Sequence, residues 1–361
     1  MVVDGLLQRG TVTSAPVDAP PPGPPAGGRP DDAAPPMART SIPSNRSIPS
    51  IPSTDVPDPT PRRPSVLAVD IGGTKIEAGV VDGDGAILVR ARVATPVTGD
   101  PEQVFAAVRR TVADVLASSS VAPTACGVGC GGPMEPGGAT VSPLNIRAWR
   151  RFPLRDRLAD LVGIEVAVDN DAKALALGEG WTGAARGTAD FLALVVSTGV
   201  GGGVVLDGRL LDGSGGNAGH IGHVVVEPDG RPCACGGRGC LEAEASGTAI
   251  ADMTGRPAAE AGTAVRRRCG TLVGRAVASV ANLLDLQLAV VAGSVALGYG
   301  DDFFGAAQEE IDLRCGLDYA RSTRIRRGGL GADGPLVGAA AVAHHRVGVV
   351  AGSDVGEDGD R

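Results

Sequence analysis

Between His223 and Cys240 the chain reads HVVVEPDGRPCACGGRGC, which sets one histidine and three cysteines in the order H-x9-C-x-C-x4-C. Imidazole and thiolate are the donors Zn²⁺ prefers, and Gly236, Gly237 and Gly239 allow the tight backbone path on which Cys233, Cys235 and Cys240 can converge. Four protein donors leave no open coordination position, so a zinc held by His223, Cys233, Cys235 and Cys240 is structural and staples a loop. Scattered thiols or a disulfide pair are the alternative, although a disulfide needs no histidine. Chemistry then has to come from neighbouring residues.

Two glycine-rich loops are suited to it. Asp70-Ile-Gly-Gly-Thr-Lys75 follows an apolar run and supplies a carboxylate, Gly72 and Gly73, and the Thr74 hydroxyl. Glycine lets backbone N–H groups approach phosphate oxygens, and Asp70 is placed to hold Mg²⁺ directly or through water. The spacing is not that of a Walker A loop, and a hairpin using Gly-Gly only for its geometry is the competing reading. Ser197-Thr-Gly-Val-Gly-Gly-Gly203 repeats the theme after a second apolar run. The pair suggests a clamp for ATP, with Lys75, Thr198, Gly199 and Gly201 beside the phosphates and Gly293-Ser294 backing the adenosine. Asn170-Asp171 ends a further apolar run and opens a helix, where the Asp171 carboxylate can take a proton from a sugar hydroxyl attacking the γ-phosphate. The alternative for Asp171 is a helix cap.

These residues need elements to present them. From residue 65 the run VLAVDIGGTKIEAGVVDGDGAILVRARV reads as a β-meander: one strand ending at Asp70, a second over Lys75 to Val81, and a third from Ala86 after an Asp-Gly turn. Helical spacing covers 101–118, and short apolar runs at 125–128 and 164–168 read as strands. Residues 191–211 form a second strand, Gly-turn, strand unit, 288–293 a buried strand, and 241–255, 256–284 and 333–346 helices. The sum is a two-lobed α/β chain: a first lobe over 65–169, with a helix near 333–347 packing back on it, and a larger second lobe over 170–332 that carries the zinc loop. Residues 1–64, with Ile-Pro-Ser repeated at 42, 48 and 51, are expected to be a disordered proline-rich tail, with Met37 an alternative start, and 348–361 a flexible one.

The composition narrows the classes. Aromatics are only 2% of the 361 residues, so the core must be built from Ala, Val and Leu, with 55 glycines allowing close packing. A formal charge of -8 argues against a nucleic-acid or anionic-membrane binder. Seven cysteines, of which Cys126, Cys130, Cys269 and Cys315 are isolated, point to a reducing compartment, the cytoplasm. Neither a membrane-length apolar run nor a signal-peptide pattern is present in this sequence.

From about 66 to 346 the chain resembles the ROK family, named for repressors, open reading frames and kinases, through DIGGTKI at 70–76, NDAKALALGE at 170–179, STGVGGG at 197–203 and GSGGNAGHIGHVVVEPDGRPCACGGRGCLEAEASGTAI at 213–250. The resemblance implies an actin-like ATPase (ribonuclease H-like) fold with two lobes around a cleft, and phosphorylation of a hexose or amino sugar by ATP with Mg²⁺. It further implies a homo-oligomer, dimer or tetramer. Carried over by position, it makes Asp171 the base, Asn170 and Glu242 sugar contacts, and His223 both a zinc ligand and a sugar contact. Gly138 and Asn145 fall on the sugar-side loop. One position departs: the family usually reads A-G-E-x-G-H, and here His220 replaces the glutamate, similar to bacterial N-acetylmannosamine kinases. A neutral imidazole donates one hydrogen bond and accepts one, so the preferred hydroxyl pattern can shift. Glucose phosphorylated at its 6-hydroxyl is the expected reaction, with N-acetylmannosamine the alternative and a packing role for His220 a third possibility. A sugar-responsive repressor would need a helix-turn-helix, which 1–64 does not encode, and retention of Asp70, Thr74, Asp171 and both loops opposes a non-catalytic sensor.

Overall fold

The computed structural model describes residues 63–347, so the two tails expected at 1–64 and 348–361 lie, but for their junctions, outside the described residues. Val66–Ile71 (β1), Lys75–Val81 (β2) and Ile87–Ala94 (β3) form an antiparallel meander. Every residue of β1 is buried, whereas β3 alternates half-buried and exposed positions, as an edge strand with one wet face does. Pro101–Ser118 (α1) covers this sheet; Asp100 caps it by accepting from the Glu102 N–H at 2.9 Å, ahead of a proline at the first helical position. Ala125–Cys130 (β4), Leu154–Val162 (α2) and Glu165–Asn170 (β5) follow, giving a five-stranded sheet ordered β3-β2-β1-β4-β5 with β4 and β5 parallel to β1.

Asp171–Trp181 (α3) leads to a second sheet built on the same plan. Phe191–Val196 (β6) pairs antiparallel with Val200–Leu206 (β7), and short Arg209–Leu210 (β8) extends the hairpin. Leu241–Ala245 (α4), Gly247–Thr254 (α5) and Thr263–Leu284 (α6) precede Leu288–Ala292 (β9), which adds parallel to β6. Ser294–Tyr299 (α7), Asp301–Arg314 (α8), Arg324–Arg327 (β10) and Gly334–Arg346 (α9) complete the chain, with sheet order β10-β9-β6-β7-β8. In each sheet an opening strand pairs antiparallel with its successor and parallel with a later one, and the turn inside that first hairpin is one of the two glycine loops.

The helix expected over 241–255 is broken at Ser246, which is extended (φ -71, ψ 158) and caps α5 by accepting from the Ala249 N–H at 3.1 Å. The helix expected from 256 starts at Thr263, because Pro257 and Gly262 both hold extended ψ values. α2, α7, α8 and β10 were not anticipated; β10 is RIRR with mostly exposed side chains, so no apolar run announces it.

Small residues let the layers touch through backbone. A Cβ on Gly127 of β4 would fall 1.9 Å from the Ala339 carbonyl oxygen of α9, and one on Gly338 would fall 2.7 Å from the Ala174 carbonyl oxygen of α3. α9 therefore lies directly on both β4 and α3, where an alanine at either glycine would force the layers apart. Among the described residues no helix is long and apolar enough to cross a membrane.

Candidate functional site

The C-terminal ends of β1 and β5 and the β6–β7 turn open on a cleft of about 440 Å³. Asp70, Gly72, Gly73, Thr74, Lys75, Asn145, Asn170, Asp171, Thr198, Gly199, Gly201, His220, His223, Glu242 and Gly293 all line it, so residues spread over more than two hundred positions meet in one cavity. Strand register explains the centre. Asp70 on β1 stands beside Gly129 on β4, and a Cβ built on Gly129 would lie 3.7 Å from Asp70 Oδ1 and 3.6 Å from the Asp171 Cα. Both residues thus flank Gly129, near enough to each other for the Asp171 charge to act on Asp70.

Asp70 is buried, and burial together with the nearby Asp171 charge raises its pKa to about 7; Lys75, at 3.9 Å, opposes this only in part. Lys75 is drawn away by Glu77, whose buried carboxylate accepts from its Nζ at 2.8 Å and from Arg92 at 3.0 Å. A carboxyl held half-neutral at physiological pH is one that a divalent cation would ionise. Asp171 is the first residue of α3. The helix cap falls to Asn170, whose Oδ1 accepts from the Ala172 N–H at 3.0 Å, while Asp171 Oδ1 shares that donor at 2.9 Å. Burial raises the Asp171 pKa, against the Ala172 N–H and the nearby His220, moving it in the direction a base working near neutral pH requires.

On the other wall, His220 Nδ1 lies 2.7 Å from the Asn217 carbonyl oxygen. A carbonyl only accepts, so Nδ1 carries a proton, and whenever the ring is neutral its lone pair is on Nε2. The donor-plus-acceptor pattern expected from the sequence is therefore reduced to an acceptor alone, because the donor is spent on the backbone. Nε2 is turned toward Gly132: a Cβ there would lie 3.8 Å from it and 3.4 Å from Asn170 Nδ2. Asn145 packs against Gly73, where a Cβ would fall 2.7 Å from its own Cβ, and so joins this wall to the first glycine loop. Gly138 does not line the cleft. It is buried at φ +66 with a would-be Cβ 2.5 Å from that of Val168, so it packs behind β5.

Glu242 touches the second loop: its Oε2 accepts from the Val200 N–H at 2.9 Å, and a Cβ on Gly199 would lie 2.8 Å from the same oxygen. Beyond Thr198 a second cavity of about 510 Å³ opens, bounded by Thr248, Ala251, Asp252, Ser294, Val295 and Tyr299. Ser294 lies there rather than in the main cleft, its Oγ 3.0 Å from Ser197 Oγ. Sequence reasoning passed over Thr248 and Tyr299; Thr248 stands in the long run at 213–250, but only folding brings α5 and α7 together.

His223, Cys233, Cys235 and Cys240 bring one donor atom each within 4.8 Å of one another. Cys235 Sγ and Cys240 Sγ are 3.7 Å apart, as are Cys233 Sγ and His223 Nδ1. A zinc tetrahedron with Zn–S bonds of about 2.3 Å has edges of about 3.8 Å, so the donor set fits that ion. The loop is pinned to the body of the protein by buried Glu244, which accepts from the Arg231 N–H at 2.6 Å and from Arg268 at 2.7 Å.

Residues 66–346 match the family model described as the ROK family. The chain is 34% identical over 317 residues to a glucokinase of Thermotoga maritima, covering 78% of this chain and 98% of that protein. It is 39% identical over 252 residues to an N-acetylmannosamine kinase of Citrobacter koseri, covering 65% and 85%. The crystal structure of a ROK family glucokinase from Streptomyces griseus in complex with glucose and AMPPNP superposes with a TM-score of 0.67 at 32% identity, covering 76% of this chain and 98% of that one. With two matching α/β halves around a cleft, the fold is that of the actin-like ATPases, and the chain belongs to the ROK family.

Proposed function

We propose that this protein is an ATP-dependent sugar kinase that phosphorylates the 6-hydroxyl of a hexose, with glucose as the leading substrate. The observation that carries this is the meeting of Asp70 and Asp171 across Gly129, at the junction of a wall bearing His220, Asn170 and Asn145 with the two glycine loops. Asp171 takes the proton of the 6-hydroxyl as that oxygen bonds to the γ-phosphorus; the bond from phosphorus to the β,γ-bridging oxygen breaks, and ADP leaves. A positioned base of this kind is worth about 10² to 10⁴ in rate. Backbone N–H groups of Gly73 and Thr74 in the first loop and of Thr198 and Gly199 in the second cradle the phosphates, those of Gly72 and Val200 being spent on the Lys75 carbonyl and Glu242. Asp70 would hold Mg²⁺ directly or through water, and the ion would supply neutralisation of the phosphate charge. The cavity beyond Thr198 takes the nucleoside, with Ser294 between it and the second loop.

A zinc on His223, Cys233, Cys235 and Cys240 fixes the loop that delivers His223 to the cleft, a structural role for four protein donors. N-acetylmannosamine is the second substrate to consider, because the uncharged acceptor at His220 Nε2 suits an acetamido N–H as well as a hydroxyl. The test is ADP release with ATP and Mg²⁺ against glucose, N-acetylmannosamine, N-acetylglucosamine, mannose and fructose, with Asp171→Asn alongside. Turnover with one sugar, lost at least about 10²-fold in the variant while sugar binding persists, is expected. Full activity of Asp171→Asn would remove the mechanism, and silence with every sugar would leave a sugar-binding sensor.

A further inference from the structure

Lys173 is the third residue of α3, two beyond the base, with 1% of its side chain exposed. Its ammonium does not reach the cleft. Nζ donates to Asp212 Oδ1 at 2.7 Å and to the Gly216 carbonyl at 3.1 Å, and Asp169 Oδ1 lies 3.1 Å away, so all three donors are used. Arg346, the last residue of α9, closes the cluster by donating to Asp212 Oδ2 and to Asp169 Oδ2, each at 2.7 Å. A buried ammonium is costly unless it is paired and hydrogen-bonded in full, as this one is.

The cluster grips the stretch between β8 and His220, which forms neither helix nor strand. Gly213, Gly216 and Gly219 take positive φ values of 71, 76 and 94, so the backbone there has little shape of its own. Its internal bonds are few: Ala218 N–H to the Asp212 carbonyl at 2.9 Å, Gly216 N–H to the Gly213 carbonyl at 3.3 Å, Asn217 Nδ2 to the Gly215 carbonyl at 2.7 Å, and His220 Nδ1 to the Asn217 carbonyl at 2.7 Å. Asp212 and Gly216, the two points Lys173 holds, are the start and the middle of the loop, and Asn217, which fixes the tautomer of His220, is the next residue.

We infer that Lys173 and Asp212 are positioning residues for sugar recognition: they hold segment 212–219 so that His220 Nε2 is aimed into the cleft. The first turn of α3 then carries both the base, at Asp171, and the anchor of the recognition loop, at Lys173. Asp169 belongs to β5 and Arg346 to α9, whose Leu336 and Ala339 pack on Val66 and Ala68 of β1, whereas the held segment follows the second sheet. The cluster therefore ties the sugar wall to the first sheet as well. This inference rests on the reading of the cleft as a sugar site.

Asp212→Asn carries the test, because Asp212 is partly exposed and Lys173 keeps Asp169 in that variant; Lys173→Met is measured beside it, and Asp212→Glu tests rescue. The expected result is a sugar KM raised about tenfold, the scale of one lost charge-assisted hydrogen bond, with the ATP KM unchanged. In a His220→Ala background Asp212→Asn should add nothing to the sugar KM. Amide exchange across Asn217–His220 should quicken about tenfold in Asp212→Asn, a readout that needs no turnover. An unchanged sugar KM, an effect fully additive with His220→Ala, or exchange equal to wild type would overturn the inference. Wild-type silence on every sugar would instead remove the kinase reading, and the exchange measurement would still decide whether Lys173 and Asp212 hold the segment.

Discussion

Asp70→Asn should make the magnesium-free protein more stable and at the same time inactive. Asp70 ordinarily titrates near 3.8, and burial followed by the charge of Asp171 lifts it to about 7. A raised carboxyl binds its proton more tightly in the folded chain than in the unfolded one. The folded state is therefore favoured at low pH and loses stability as pH climbs from 3.8 to about 7, after which the loss is constant. About three units at 1.36 kcal/mol each set an upper bound of about 4 kcal/mol. Asparagine removes the ionisation but remains a buried polar group, so about half of that, about 2 kcal/mol, should be recovered at pH 8. In a chain of this size that is a rise of about 3 °C in Tm. The assay is thermal unfolding of wild type and variant from pH 4 to 8, in magnesium-free buffer without chelator so that the cysteine cluster keeps its metal. The buried-asparagine cost is the same at every pH, so the variant should be less stable than wild type at pH 4, overtake it as pH rises and level off above about pH 7. A variant no more stable than wild type at pH 8, or equally stabilised at pH 4, would show that Asp70 carries no desolvation cost.

Other perturbations separate the parts of the site. Metal analysis should find one zinc per chain, and Cys235→Ser should lose it, with activity and Tm falling together because metal binding is folding energy for the loop; full activity after complete zinc removal would contradict a structural zinc. Gly199→Ala puts a Cβ 2.8 Å from Glu242 Oε2 and should displace that carboxylate from the Val200 N–H, lowering kcat/KM about 10²-fold with little change in Tm; near-wild-type kinetics would detach Glu242 from the reaction. Ala251→Phe should fill the cavity beyond Thr198, raising the ATP KM more than about tenfold while calorimetric sugar binding is unchanged, and an unaffected ATP KM would place the nucleoside elsewhere.

What could be read in the sequence follows a physical division. β6 and β9 are continuous apolar runs and β1 is one broken only by Asp70, each followed by glycine within three residues, so their type and limits follow from local pattern, and each leads to a loop residue in the cleft. β10 is built of arginines around one isoleucine and has its place through pairing with β9, which no local pattern encodes. Glycine was the harder residue to interpret. Gly138 and Gly199 look alike in the sequence, yet the space denied to a Cβ at Gly138 belongs to Val168 behind a strand, and at Gly199 it belongs to Glu242 inside the cleft. The residue type says only that something comes close; the partner decides whether that closeness is packing or chemistry.

The same holds for charge. Asp171 was legible because its neighbours Asn170 and Ala172 mark a strand-to-helix turn that presents a carboxylate. Lys173, two residues on, reads as an ordinary helical lysine, and its partners stand four, thirty-nine and forty-three residues away. Folding turns this lysine away from solvent and onto the loop that orients His220. At position 220, proposed to face the sugar, a change from glutamate to histidine therefore cannot be evaluated from that side chain alone. Nδ1 is committed to Asn217 only while segment 212–219 keeps its shape, and that shape is held from α3. Substrate choice is then a property of the anchored loop, and engineering it requires changing His220 and the Lys173–Asp212 pair together.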